Sequence, residues 1–299
     1  MYAALGAFEE YELSARSTNR SPHTITSMRY HVRRFALFLE QRAYPLSCDA
    51  ITTRILREYV TALQETHAAT TVTNNVIALK TLFGFGVREE LITSDPTKRV
   101  AVPRLPRTEF DIFDNSDIDI LLQACDRKTV IGLRDFAIVM LLFDSGIRAS
   151  ELIGIADKDI DWQRGLIRVF GKGAKERHVP VSTRTLRAIK RYLHKRHGAK
   201  DQPNTHTFAN QLGDPLTRSG LFQLLQRLGE RTGLHVHPHR FRHSFAVNAL
   251  RNGAREFDIQ DCLGHTTLYM TKHYARQSAV DLSERHKRFS PADRLKVRV

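Results

Sequence analysis

With 299 residues, 41% of them hydrophobic, the chain has the length for about two domains, each burying its own core. The 46 Lys and Arg against 32 Asp and Glu leave a formal charge of +14, which favours a polyanion, nucleic acid first, over a neutral or acidic partner. A helical membrane span is excluded: no apolar run approaches roughly 18 residues, and the longest, Phe136 to Phe143, suits a core helix.

Residues 1–20 carry Glu9, Glu10 and Glu12 and lack a basic start followed by an apolar stretch, so no secretory signal is expected. Ser21-Pro22 reads as an N-cap followed by a first-turn proline, and Ile25, Met28, Val32, Phe35 and Leu39 recur at steps of three and four, the spacing of an amphipathic helix. Leu56, Tyr59 and Leu63 predict a second helix, and Val72, Val76, Leu79 and Phe83 a third. The first hundred residues therefore read as a small all-helical domain. Its polar faces carry Arg29, His31, Arg33, Arg34, Arg54, Arg57 and Lys80, which suit either a phosphate backbone or a solvated face. From Asp95 to Arg107 three prolines and four basic residues replace the helical periodicity, so the domain boundary falls there.

The second domain opens with Ser116, Ile118, Leu121 and Leu122 in helical spacing, followed by the apolar helix around Phe136 to Phe143. Gly146 stops that helix and begins Gly146-Ile147-Arg148-Ala149-Ser150-Glu151-Leu152, whose end resumes helical character. Leu166–Phe170 and Arg177–Val181 are β-like stretches joined by Gly171-Lys172-Gly173-Ala174-Lys175-Glu176, a hairpin with a basic tip. Leu186, Ile189 and Leu193 predict a helix dense in Arg and Lys, and another begins at His237-Pro238-His239 and ends near Gly253. The expected fold class is mainly α with a small β-sheet, an α+β arrangement. Cys48, Cys125 and Cys262, odd in number and without paired spacing, suit reduced thiols in a reducing compartment.

His239 and Arg242 lie three apart near the positive end of their helix, where the dipole and a guanidinium fork both favour an anion such as phosphate; an arginine paired with a local carboxylate is the alternative. Arg148 has the same alternative in Glu151, three residues on. Lys172, between two glycines, either donates a proton to a departing alkoxide or is a solvated turn residue. His265 follows a helix-ending Gly264, and Tyr274 stands nine residues further, either packing or serving as a nucleophile that needs activation. His235, His237, His239 and His243, with Cys262 and His265, match no usual zinc-finger spacing, and no glycine loop for ATP is present, so no cofactor is expected.

Taken in order, Arg148 in its Gly146–Leu152 motif, Lys172 in Gly-Lys-Gly, His239-x-x-Arg242-His243, Leu263-Gly264-His265 and Tyr274 resemble the active-site signature of the tyrosine recombinases, the family of phage integrases and Xer resolvases. The resemblance spans nearly the whole chain. It implies a SAM-like helical core-binding domain over 1–95, a linker over 96–110, and a catalytic domain with a C-terminal tail over 111–299. It further implies a site-specific recombinase in which Tyr274 attacks the scissile phosphate, leaving a 3′-phosphotyrosyl link, and Lys172 protonates the leaving 5′-oxygen. Arg148, Arg242 and His265 would hold the non-bridging oxygens, His239 would act as base or orient the tyrosine, and Glu151 would position Arg148. Two rounds of exchange would pass through a Holliday junction without ATP or metal.

The implied partners are double-stranded DNA, bound by a homotetramer on two sites, and accessory recombination proteins, with no membrane; the implied place is the cytoplasm, at the nucleoid. The basic tail Ser283 to Val299 suits docking between neighbouring subunits. Departures from the pattern are small: Phe241 stands where leucine is common, and Ala275-Arg276 follow the tyrosine. Two other activities share parts of this pattern: DNA relaxation of the type IB topoisomerase kind, and a catalytically silent DNA-binding regulator.

Overall fold

The computed structural model describes residues 2–103, 110–171, 176–197, 206–264, 274 and 290–292. The chain divides into two compact units, Met1–Thr108 and Glu109–Val299.

The first unit is helical: α1 (Tyr2–Ser17), α2 (Pro22–Gln41), α3 (Thr53–Thr66) and α4 (Ala69–Arg88). Ser21 caps α2 by accepting the Thr24 N–H at 3.2 Å, and Pro22 takes the first turn, where its missing N–H costs nothing. The stripe Ile25, Met28, Val32, Phe35 and Leu39 is buried, as its spacing requires. Phe35 and Leu39 join Leu56, Tyr59, Val76, Leu79 and Phe83 in one core, and α1 adds Phe8, Tyr11 and Ala15 against Ile25, Met28 and Phe85 in another. The Tyr59 hydroxyl donates to Asn75 Oδ1 at 3.0 Å, which satisfies a buried polar pair.

Several basic side chains of this unit have internal partners. Arg29 binds Glu12 at 2.6 Å, Arg54 binds Glu58 at 3.0 Å, and Lys80 Nζ donates to the Thr97 carbonyl at 2.8 Å. The proline-rich stretch is likewise held at its start: Thr53 Oγ1 donates to Pro96 O at 2.8 Å and Thr73 Oγ1 to Pro103 O at 3.2 Å. Residues 96–103 thus lie on the helical unit.

The second unit is mainly α with a small sheet: α5 (Asn115–Gln123), α6 (Val130–Ser145), α7 (Ala149–Ile153), β1 (Ile160–Asp161), β2 (Leu166–Phe170), β3 (Glu176–Pro180), α8 (Thr183–His197), α9 (Arg218–Thr232), α10 (Pro238–Arg251) and α11 (Glu256–Leu263). The expected hairpin is β2–β3, antiparallel with Ile167 opposite Val179 and Val169 opposite Arg177, and the two-residue β1 adds a third strand beside β2. Helix α6 is the hub. Its Ala137, Ile138, Leu141 and Leu142 are fully buried, and α8 and α10 both pack on it. Among the described residues no helix is long and apolar enough to cross a membrane.

Candidate active site

Three chain reversals bring the site together. Gly146 ends α6 at φ +59°, and a Cβ there would sit 2.8 Å from both Leu263 Cδ2 and Phe245 Cδ1, so only glycine fits the turn that delivers Arg148. Arg148 is the N-cap of α7, and its backbone N–H donates to Glu151 Oε2 at 2.8 Å. Gly264 ends α11 at φ +61°. His237 caps α10 and Pro238 opens it, which fixes Arg242 one turn inside.

Arg242 is 4% exposed and spans two of these reversals, its Nη1 donating to Gly146 O at 2.8 Å and its Nη2 to Leu263 O at 2.7 Å. Burial, then the positive charge of Arg148, lowers its pKa to about 10, so the guanidinium remains ionised at neutral pH. Arg148 reaches the same corner, with Nη1 on Glu151 Oε1 at 2.9 Å and Nη2 on Gly264 O at 3.2 Å. Arg177 of β3 adds a bidentate pair to Glu151 at 2.7 and 2.8 Å. Three guanidiniums against one carboxylate leave two positive charges uncancelled (3 − 1 = 2). Such an excess suits an anion.

Tyr274 is 1% exposed and packs on Ala246, Val247, Ile259 and Leu263. Its hydroxyl shares a 3.0 Å hydrogen bond with His243 Nδ1, and the Phe110 ring stacks on His243 at 4.1 Å and touches Tyr274 at 4.9 Å. Burial raises the phenol pKa above 10, with Arg242 and Arg148 pulling against it. His239 is exposed, and its pKa lies below 6.5 through partial desolvation and the nearby guanidiniums of Arg242, Arg218 and Arg148.

Of the expected site residues, Arg148, Glu151, Arg242 and Tyr274 thus meet in one corner, with His239 one helical turn before His243. Lys172 and His265 lie outside the described residues. The imidazole on the phenol is His243; the ring centroid of His239, expected as base or as the group that orients the tyrosine, lies 6.3 Å from that of His243. His243 carried a readable signal, since it is next to Arg242 and four residues after His239, on the same helix face. Arg177 and Phe110 carried none, because their partners are distant in sequence. Among the described residues no group of three His, Cys, Asp or Glu is arranged to hold a metal ion.

Glu151 makes the corner sensitive to acid. Burial pushes its pKa up, but the Arg177 hydrogen bonds, the Arg148 N–H, the charge of Arg177 and the Arg148 side-chain hydrogen bond outweigh that and leave it below 4.5. Between the folded value and 4.5 the unfolded chain binds more protons, so this carboxylate contributes stability above pH 4.5 that is lost as pH falls through its folded pKa. Glu151→Gln is expected to cost about 2 kcal/mol at neutral pH, because it removes the buried carboxylate that pairs the partly buried Arg177 and the more exposed Arg148. It should also flatten the acid limb of stability, read from denaturant melts at neutral and acidic pH; equal acid losses in both proteins would contradict the assignment.

Comparison with known proteins places this corner in a lineage. The Phage integrase family profile matches residues 112–280, and that of the phage integrase N-terminal SAM-like domain matches residues 7–90. Tyrosine recombinase XerC of Myxococcus xanthus is 35% identical over 263 residues, covering 86% of this chain and 87% of the relative. XerD of Halalkalibacterium halodurans is 31% identical over 276 residues, covering 91% and 92%. Among solved structures, XerA recombinase matches with a TM-score of 0.52 at 25% identity, covering 96% of this chain and 98% of that one. XerH site-specific recombinase bound to its palindromic difH substrate shares the fold, with a TM-score of 0.75 at 22% identity over 94% of this chain and 83% of that one. Two profiles in the right order and relatives matched along almost their whole length leave one assignment: the chain belongs to the phage integrase family and is a Xer-like tyrosine recombinase.

Proposed function

We propose that Tyr274 is the nucleophile of this recombinase, and the observation that carries this is its phenol, hydrogen-bonded to His243 beside the positive corner of Arg242 and Arg148. At neutral pH the phenol is protonated, so attack requires a base. The imidazole of His243 is in contact with the phenol, and His239, held neutral by its lowered pKa, stands one turn before it on α10. As the bond from the tyrosine oxygen to phosphorus forms and the bond to the 5′-oxygen breaks, Lys172 supplies the proton to the leaving oxygen. Arg148, Arg242 and His265 balance the negative charge on the non-bridging oxygens. Arg148 and Arg242 each direct two N–H groups at the partners described above, out of five donors on a guanidinium, which leaves donors for a phosphate. The phosphotyrosine conserves the ester, so a 5′-hydroxyl from another strand reverses the step without ATP or metal.

The partner is double-stranded DNA, in line with the charge of +14 and with relatives solved as DNA complexes, XerH with difH and the Tn1549 integrase with circular intermediate DNA. The segment 1–95 serves as the core-binding domain, 96–110 as the linker and 111–299 as the catalytic domain. Four subunits act on two sites through a Holliday junction at the nucleoid, with accessory proteins as further partners. The test is to sequence the DNA trapped covalently on the protein in its host and place two copies on one plasmid. Resolution or inversion between the copies is expected. Relaxation of a site-free plasmid without exchange would instead indicate a topoisomerase, and an absence of adducts a silent regulator.

A further inference from the structure

We infer that Arg177 is a positioning residue of the strand-transfer reaction, acting on Arg148 through the carboxylate the two share, Glu151. The inference rests on the recombinase reading above and concerns a residue outside its reacting set.

Alternation along β3 puts Arg177 on the same face as Val179, which is 1% exposed, while Glu176, His178 and Pro180 are exposed. A guanidinium on the inward face of a strand is costly unless it is fully paired. Here each of its three nitrogens has a partner, and the pairing reaches two other elements. Nη1 and Nη2 hold both oxygens of Glu151, and Nε donates to Cys262 O at 3.2 Å. The guanidinium also lies flat against Gly264, where a Cβ would fall 3.0 Å from Nη1. Gly264 in turn supplies the carbonyl that receives Arg148 Nη2, so Arg177 lies against both residues that anchor Arg148, Glu151 and Gly264. One side chain therefore ties β3, the strand that follows Lys172 in the chain, to α7 and to the turn that precedes His265 in the chain.

The Glu151 side chain is 1% exposed and accepts four hydrogen bonds, two from Arg177 and two from Arg148. Without Arg177 the carboxylate loses half of these and rebalances on Arg148 alone. Arg148, whose side chain is 37% exposed, would then be drawn further onto Glu151 and away from an incoming phosphate. Arg177 fixes how much of Arg148 remains for the substrate.

The experiment measures single-turnover cleavage of a nicked duplex by the full chain, together with its DNA affinity and thermal melt, for Arg177→Met, Arg177→Lys, Glu151→Gln and the double variant Glu151→Gln/Arg177→Met. Cleavage by Arg177→Met is expected to fall about 10–100-fold, the usual scale for a residue that orients a reacting group, with DNA affinity unchanged. The double variant should be no slower than the slower single one, since both act through the same carboxylate. In a further variant, Arg177→Gly, which leaves space for the ion, added guanidinium should restore part of the rate. Wild-type cleavage in a folded Arg177→Met, or losses that multiply in the double variant, would overturn the inference. Should Arg177→Met fail to fold, Arg177→Lys decides: it keeps the charge but not the bidentate fork, so it should fold and still cleave slowly. Adduct formation by Tyr274→Phe would instead undo the reading of the site itself.

Discussion

Tyr274→Phe is expected to abolish covalent protein–DNA adducts while leaving DNA binding intact. The substitution removes one oxygen. The phenyl ring still packs against Phe110, Val247 and Leu263, and the lost contact is the hydrogen bond to His243, for a stability cost of about 1 kcal/mol. The chemical loss is total, because without the phenolic oxygen no phosphotyrosine forms. A nicked duplex, which releases its short leaving strand and so traps the adduct, read on a denaturing gel beside a mobility-shift titration, separates the two effects. Undiminished adducts in Tyr274→Phe would remove Tyr274 from its role.

Lys172→Ala is expected to slow cleavage by about 10²–10⁴-fold, the range of a lost general acid. The leaving group is an alkoxide that departs poorly without a proton. A 5′-thiolate departs without one, so the same variant should cleave a 5′-phosphorothiolate duplex at nearly the wild-type rate. Single-turnover rates on the matched oxygen and sulfur substrates test this directly. Equal slowing on both would show that Lys172 acts some other way, for instance by holding a phosphate oxygen.

Much of the helical framework was legible because its signals are local. The Ser21-Pro22 cap and the stripe from Ile25 to Leu39 produce α2 in place, and His237-Pro238 opens α10. Helix α1 was not legible: three glutamates interrupt its buried positions Phe8, Tyr11 and Ala15, which find their partners on α2 and α4. Helix α9 carries an equally local stripe in Leu221, Leu224, Leu225 and Leu228. The stretch after Asp95 looked like a spacer by its prolines. Its carbonyls nevertheless accept hydrogen bonds from Thr53, Lys80 and Thr73, contacts 43, 17 and 30 residues apart that no local pattern announces.

The same division runs through the site. By itself the sequence determined the order of the candidate residues: Arg148, Lys172, His239, Arg242, His265 and Tyr274 resemble the tyrosine recombinase signature, and the spacing of His239 and Arg242 and the helix-ending glycines before Arg148 and His265 are short-range signals. Only the tertiary structure decided which groups serve which. Glu151 turned out to be shared between Arg148, three residues away, and Arg177, 26 residues away; His243 meets Tyr274 across 31 residues, and Arg148 meets Gly264 across 116. These partnerships follow from burial: a charge or phenol taken out of water must find its hydrogen bonds among whatever side chains and carbonyls the fold brings there, however far apart they lie in the chain.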